Sequence, residues 1–154
     1  MKSNSGIISF RSLVIAISLM MLFAYSSYHC DAQKKVNVHI FSMSKLRTIL
    51  TTPATGEYQI YGNDTLVTTL RKNELVYLLL EDHQVKLQTF GKEIGRYNKV
   101  ELKGKMTNND LKIKPILPSL NPRIYPDNFS VSVDNNQLRI INMVKMENYI
   151  AGTV

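Results

Sequence analysis

The chain has 154 residues, with 19 lysines and arginines against 12 aspartates and glutamates, one cysteine and no tryptophan. This length allows one domain of ordinary size. A charged fraction of 20% and a mean hydropathy of −0.11 argue against wholesale disorder and against a multi-span membrane protein. A single cysteine excludes an internal disulfide and any zinc or iron–sulfur site built from several thiolates.

The N-terminus has the layout of a secretory signal peptide. Basic residues precede an apolar run at residues 13–25, which as a helix would extend roughly 20 Å, less than the ~30 Å of a bilayer core. Cys30 and Ala32 fit the small-residue positions before a cleavage site. We expect residues 1–32 to be removed on export to the periplasm, the cell envelope or the exterior, leaving no stable membrane span.

Two alternatives to this removal stay open. In the first alternative, residues 13–25 form a buried helix, although a run without a polar face does not favour that arrangement. In the second, Cys30 is kept and modified by a lipid, although the bulky His29 stands where lipidation needs a small residue. Cleavage after Ala32 would instead remove the cysteine, so that the exported part carries no thiol.

The exported part shows a hydrophobic period of two, which is typical of half-buried antiparallel strands. The alternating segments are residues 36–40, 57–60, 84–88, 99–103, 111–114 and 129–133. A continuous apolar run at residues 75–80 predicts a strand buried on both faces. Turn residues rich in Gly, Asn and Asp separate these runs, at residues 53–56, 62–64, 81–83, 91–95, 107–110 and 134–137. We therefore predict a mainly β fold, an antiparallel sandwich or barrel-like domain, over residues 33–114.

Four prolines crowd residues 115–126. Because proline lacks the N–H group that a strand ladder needs, we expect an extended crossing segment there, and it is the one candidate internal boundary. A hairpin of residues 129–133 and 138–141 follows it.

The apolar period then changes to that of a helix. Met143, Met146 and Ile150 recur at helical spacing, which predicts a short C-terminal helix that begins near residues 143–145 and ends near Gly152. The chain ends inside this apolar pattern, and we interpret residues 127–154 as the truncated start of a further domain.

Sequence motifs for chemistry are sparse. The sequence has no phosphate-binding glycine loop, no zinc-protease motif and no serine-nucleophile elbow. His39 falls on the polar face of a strand and His83 in a turn, and both are expected to be surface residues. Glu81 and Asp82 are expected in a solvated turn. No metal and no cofactor is therefore expected. Four lysines allow either a basic stripe or a solvated sheet face: Lys103, Lys105, Lys112 and Lys114.

The segment from Arg123 onward carries a recognisable pattern. R-I-Y at residues 123–125 is followed by L-R-I-I-N at residues 138–142 and by E-N-Y-I-A-G at residues 147–152. The pattern resembles the start of the domain shared by sporulation stage II protein D and the N-terminal domain of the amidase enhancer. The matching positions are Arg123, Tyr125, Asn142, Glu147, Tyr149 and Gly152, while Thr153 replaces the usual valine. The alternative is that this segment is a plain strand–helix corner.

This resemblance implies an action on peptidoglycan, either as a lytic transglycosylase or as an amidase enhancer. The expected partners are peptidoglycan or another cell-wall polymer and, for an enhancer, an amidase, but no nucleic acid. The family's proposed acid is a glutamate that follows the motif glycine and would lie beyond Val154. The resemblance therefore places no catalytic residue within these 154 residues, and whether the chain is an enzyme stays open. It implies a structural role at the helix start for Glu147 and a strand-end hydrogen-bonding role for Asn142.

A second hypothesis comes from the charge of the chain. The exported part keeps a net positive charge, so it would instead be a non-catalytic β-domain that binds a wall polymer or a partner protein through a basic face.

Overall fold

The computed structural model describes residues 34–151. The predicted signal peptide and the motif residue Gly152 lie outside the described residues. The strands in chain order are β1 (Lys35–Ile40), β2 (Thr48–Thr55), β3 (Tyr58–Gly62), β4 (Thr65–Leu70), β5 (Val76–Glu81), β6 (Gln84–Thr89), β7 (Lys92–Tyr97), β8 (Lys99–Gly104), β9 (Asp110–Leu117), β10 (Arg123–Pro126), β11 (Asn128–Asp134) and β12 (Gln137–Lys145), followed by helix α1 (Met146–Ala151).

The strands form two six-stranded antiparallel sheets. The first sheet has the order β1-β12-β11-β8-β3-β4, and the second has the order β10-β9-β2-β5-β6-β7. A short helix follows the last strand. The predicted fold class, a mainly β sandwich with a terminal hairpin and a short C-terminal helix, is confirmed.

Alternation along the strands builds the core. In β3 the burial alternates strictly, with Tyr58, Ile60 and Gly62 buried and the residues between them half-buried, and most central strands repeat this pattern. The buried apolar side chains of both sheets form one cluster, because each sheet turns one face inward. Its members include Ile40, Leu46, Ile49, Tyr58, Ile60, Leu78, Leu87, Leu102, Ile113, Phe129 and Ile140.

Three predicted turns are two-residue hairpin loops in which both central residues have positive φ. They contain Asn63 and Asp64, Asp82 and His83, and Asn135 and Asn136. Such loops match the right-handed twist of the flanking strands, and Asn and Asp tolerate this backbone conformation better than most residues. Local turn chemistry therefore sets the register of these hairpins.

Two turn predictions were wrong. Residues 53–56 were expected to turn, but Pro53 lies inside β2 and pairs with Leu111 of β9. The pairing of β2 with β5 ends at Thr51, so the missing N–H of Pro53 leaves no gap in that ladder. Of the turn predicted at residues 91–95, only Gly91 lies in the observed turn, which it forms with Phe90, because β7 already begins at Lys92.

The proline-rich stretch does not cross between two parts of the molecule as expected. β9 runs to Leu117 and β10 returns antiparallel beside it, so most of residues 115–126 form a hairpin of the second sheet. Pro115 is tolerated because the pairing with β10 extends only to Ile113. Strands on both sides of this stretch, β8 and β11, are paired in the first sheet. The assignment of residues 127–154 to a further domain stays a prediction.

Two other expectations need correction. The apolar run at residues 75–80 is buried on one face, since Val76 and Leu78 are buried while Tyr77 lies half-buried on the outer face of the second sheet. The helix begins at Met146, because residues 143–145 still pair with β1. Within residues 34–151, no helix is long and apolar enough to cross a membrane.

Tyr58 is the largest fully buried side chain of the core. Its hydroxyl group donates a hydrogen bond to the carbonyl oxygen of Asp127 at 3.0 Å, and its ring packs against Phe129. Burial raises the pKa of the Tyr58 hydroxyl far above its ordinary value, and the nearby charges of Asp110 and Asp127 raise it further. The group is therefore neutral in the folded protein.

This raised pKa predicts a loss of stability at alkaline pH. Below the unfolded-state pKa of about 10 the contribution of Tyr58 is complete, and above it the unfolded chain releases the proton first. The free energy of unfolding should then fall by up to about 1.4 kcal/mol per pH unit. Urea unfolding between pH 9 and pH 11 measures this slope. The variant Y58F is the control, because its slope should be shallower, and equal slopes in both proteins would contradict the argument.

Candidate functional site

The link between β10 and β11 is one of the places where the chain passes from one sheet to the other, and the buried Asp127 lies at its centre. The backbone of Asp127 has a φ of 66°, which Asp adopts more easily than most residues. Its N–H group donates to the carbonyl oxygen of Asn109 at 2.9 Å, and its carbonyl oxygen accepts from Tyr58. Both backbone groups of this buried residue are therefore satisfied.

The carboxylate of Asp127 ties the end of β12 to the first turn of α1. Its Oδ2 atom accepts hydrogen bonds from the backbone N–H of Lys145 and from the side-chain amide of Asn148, both at 2.9 Å. A negative charge at this end of a helix is favourable because the first N–H groups have no partner within the helix. Asp127 thus sets the angle at which the chain leaves the first sheet.

Asn142 stabilises the same link from the neighbouring strand. Its side chain is buried in β12, and its amide nitrogen donates to the carbonyl oxygens of Pro126 at 2.8 Å and Asn128 at 3.1 Å. These carbonyl groups flank Asp127, so one amide group spans the residue with positive φ. The geometry is that of a structural hydrogen-bonding residue.

The amide of Asn128 extends this network into β8. Its Oδ1 atom accepts from the backbone N–H of Gly104 at 2.8 Å. A Cβ atom at Gly104 would lie 2.5 Å from the side chain of Asn109, so glycine is needed for this close approach. Asn109 in turn closes its own loop through bonds with both backbone groups of Met106. We call Asn109, Asp127, Asn128, Asn142 and Asn148 the junction cluster.

The other motif residues lie around this cluster. Glu147 is exposed in the first turn of α1, and Tyr149 is exposed on the same helix. Arg123 and Tyr125 lie on β10, where the Arg123 guanidinium is 5.7 Å from the ring of Phe41 and the Tyr125 ring packs edge-on to that ring at 5.9 Å. The structure therefore places Asn142, Glu147 and Tyr149 beside the link, whereas Arg123 and Tyr125 contact a loop after β1.

A shallow groove of about 470 Å³ opens beside the junction cluster. It is lined by amide and carboxylate side chains together with Pro126 and the end of α1. The lining residues are Asn108, Asn109, Asp110, Pro126, Asp127, Asn148 and Ala151. Such side chains offer both hydrogen-bond donors and hydrogen-bond acceptors to a polar ligand.

The carboxylates with shifted pKa values are not suited to act as general acids. Hydrogen bonds from Lys103 and then Lys99 lower the pKa of Glu101, and a hydrogen bond from Lys86 lowers that of Glu93. A general acid near neutral pH needs the opposite shift. Within residues 34–151, no group of three His, Cys, Asp or Glu residues is arranged to hold a metal ion.

The surface residues singled out in the sequence are distributed as follows. His39 is exposed on β1 and His83 is exposed in a hairpin turn, as predicted. Glu81 is not simply solvated, since its carboxylate pairs with Lys86 at 3.2 Å and Arg96 at 2.7 Å, while Asp82 is exposed in the turn.

The four lysines do not form one stripe. Lys103 lies on β8 of the first sheet, where it pairs with Glu101, and Lys105 follows that strand and pairs with Glu57. Lys112 and Lys114 lie on β9 of the second sheet and are exposed. The turn between β8 and β9 carries the chain from one sheet to the other, which separates the two pairs.

Sequence reasoning missed most of the junction cluster. Asp127 fell between the proline-rich stretch and the predicted hairpin, although its neighbours form the sequence Pro126-Asp127-Asn128. Proline followed by Asp and Asn is a turn signal, because Asp and Asn tolerate positive φ. That signal identifies a turn but not the distant Asn109, Tyr58 and Lys145 that converge on it.

Comparison of this chain with protein-family models, with curated proteins and with solved structures gave no match.

Removal of the Asn142 amide should destabilise the fold. In N142A the carbonyl groups of Pro126 and Asn128 lose a buried donor, which typically costs about 1–3 kcal/mol. The free energy of unfolding in urea measures the loss. The matched control is N37A, which removes an exposed amide on β1 and should change stability by less than about 0.5 kcal/mol. Equal stabilities of the two variants would show that the amide does not stabilise the link.

Proposed function

We propose that this chain is the N-terminal part of an exported protein that acts on peptidoglycan, of the lytic transglycosylase or amidase-enhancer type. The observation that supports this most is the hydrogen bonding of Asn142. The resemblance joins an R-x-Y element to an N-x4-E-x-Y element, and Asn142 bonds directly to the carbonyl of Pro126, the residue after Tyr125. The motif residue Asn142 thus holds the chain directly after the R-x-Y element, while Arg123 and Tyr125 themselves contact Phe41.

The groove beside the network supports the substrate class. Glycan strands of peptidoglycan carry hydroxyl, acetamido and carboxylate groups. The amides of Asn108 and Asn148 line the groove, and side-chain amides bind such groups as both donors and acceptors. In this proposal the β-sandwich holds α1 and the chain that follows α1 beside a bound glycan strand. Asp127 fixes the position of α1 on the sandwich.

The 154-residue chain should bind peptidoglycan without cutting it. The resemblance places the proton donor beyond Val154, and lysines hold the pKa values of Glu93 and Glu101 low. Purified peptidoglycan is incubated with the purified protein, and soluble anhydro-muropeptides are measured by mass spectrometry, with a known lytic transglycosylase as the positive control. Release of these products by the chain would contradict the expectation that it does not cut peptidoglycan. Failure of the chain to sediment with insoluble peptidoglycan at low salt would contradict the expectation that it binds.

A second function, that of a non-catalytic module that binds a wall polymer, is favoured by the lysines of β9. Lys112 and Lys114 are exposed and form no salt bridge with another described residue, whereas Lys86, Lys99, Lys103 and Lys105 each pair with a carboxylate. Lys112 stands opposite the exposed Ile124 of β10. Cations beside apolar groups on an exposed sheet face suit an extended anionic polymer.

Charge-driven binding of this kind should depend on salt and on these two lysines. Screening acts over about 10 Å at 0.1 M salt and about 3 Å at 1 M, so retention on insoluble peptidoglycan should fall as salt rises. The variant K112Q/K114Q should lose several-fold in retention at low salt.

The matched control is K72Q/K92Q, which removes the same charge from exposed residues outside β9 and should be retained like the unaltered protein. Equal losses in both variants would show that only net charge matters. Retention that neither salt nor substitution changes would rule out the basic face as the binding surface.

A further inference from the structure

Four strands form the edges of the two sheets, and β4 is the one without a charged side chain or a proline; its protection is limited to a bulge at Val67, where the pairing with β3 shifts register. β1 presents Lys35 and His39, and β7 presents lysine, glutamate and arginine. β10 has four residues and ends in Pro126. Charges, prolines and short length all discourage an edge from pairing with another chain. β4 consists of the uncharged residues Thr65–Leu70, with no proline.

The free edge of β4 is also favourable for strand pairing. Among the described residues β4 pairs with β3 only, so its other side keeps N–H and C=O groups without a strand partner. Its three threonines and its valine favour extended backbone. Leu66 is 50% exposed on the outer face of the first sheet, where it stands opposite Tyr61.

A groove of about 440 Å³ runs beside the second half of β4. Thr68 and Leu70 line it together with Phe90, which lies in the turn between β6 and β7. Phe90 is 84% exposed, an unusual position for an aromatic side chain. An added strand along β4 would cover part of this groove and of the Phe90 ring.

Charges at the two ends of β4 indicate which strand could be added along its free edge. Asp64 precedes β4 and is exposed, and Arg71 follows it with 65% of its side chain exposed. Because Val67 is a bulge residue, Leu66 and Thr69 lie on the same face of β4. An antiparallel partner with the same sequence, centred between Val67 and Thr68 so that the two bulges face each other, therefore matches the faces and places its Arg71 opposite Asp64 and its Asp64 opposite Arg71. Both ends then carry complementary charges, and no like charges face each other along the strand.

We propose that β4 is the pairing edge for a second copy of this chain, which adds its own β4 antiparallel to the first. A two-fold interface uses the same surface on both copies, and an uncharged strand with opposite charges at its ends is complementary to itself. The first sheets of the two copies then join into one continuous sheet, with the exposed Leu66 and Phe90 of each copy beside the interface. This pairing is independent of any binding to peptidoglycan.

Sedimentation equilibrium of the purified protein tests the proposal. The unaltered protein should show a concentration-dependent species of twice the mass of one chain. In L66K a charge stands on the pairing edge, and self-association should weaken at least tenfold. The control N37K adds the same charge to an exposed position of β1 and should associate like the unaltered protein. Circular dichroism confirms that each variant is folded.

A charge exchange tests the register. R71D brings a second carboxylate opposite Asp64 of the other copy and should also weaken association, whereas the double variant D64K/R71D restores opposite charges and should recover most of it. A protein that stays monomeric at all concentrations would overturn the proposal, as would dimers that persist unchanged in L66K. Dimers that are sensitive to L66K but insensitive to R71D would overturn the antiparallel register.

Discussion

The carboxylate of Asp127 is the contact on which the arrangement of the C-terminal part depends. It accepts from the last residue of β12 and from Asn148 in α1, while the backbone of the same residue bonds to Asn109 and Tyr58. One buried residue therefore connects both sheets and the helix. A buried carboxylate is costly unless hydrogen bonds satisfy it, and these bonds supply that compensation. The positive φ of Asp127 is maintained because hydrogen bonds to four residues hold Asp127 in place.

The positive charge of the protein is organised in two ways. On the first sheet Glu101 lies between Lys99 and Lys103 on one strand face, and Lys103 also covers the ring of Tyr61 at 4.5 Å. On β9, Lys112 and Lys114 face solvent and form no salt bridge with any other residue of 34–151. The first arrangement neutralises charge within the fold, while the second leaves it available to a ligand. Net charge alone does not distinguish these surfaces, because every lysine counts equally toward it.

The fold class was predictable from the sequence because alternation and turn chemistry are local signals. The hairpins at Asn63, Asp82 and Asn135 follow directly from residues that tolerate positive φ. β4 was missed because Thr65–Leu70 does not alternate clearly between apolar and polar residues. Pro53 was assigned to a turn because proline is excluded from a strand that is paired on both sides, and the sequence does not show that the pairing of β2 with β5 ends at Thr51. The site was less predictable. Asn142 was expected to form strand-end hydrogen bonds, but its partners and the role of Asp127 depend on contacts between distant segments.

The pairing of β1 with β12 has a consequence for how the protein reaches its structure. The first strand of the described residues has β12, the last, as its one strand partner. Contacts between such distant segments form slowly, because the entropy cost of closing a long loop of chain must be met before the contacts lower the free energy. β1 can pair only after residues 140–145 have been synthesised, whereas each local hairpin needs only the chain next to it. The first sheet is therefore complete only once β12, the last strand of the described residues, has joined β1.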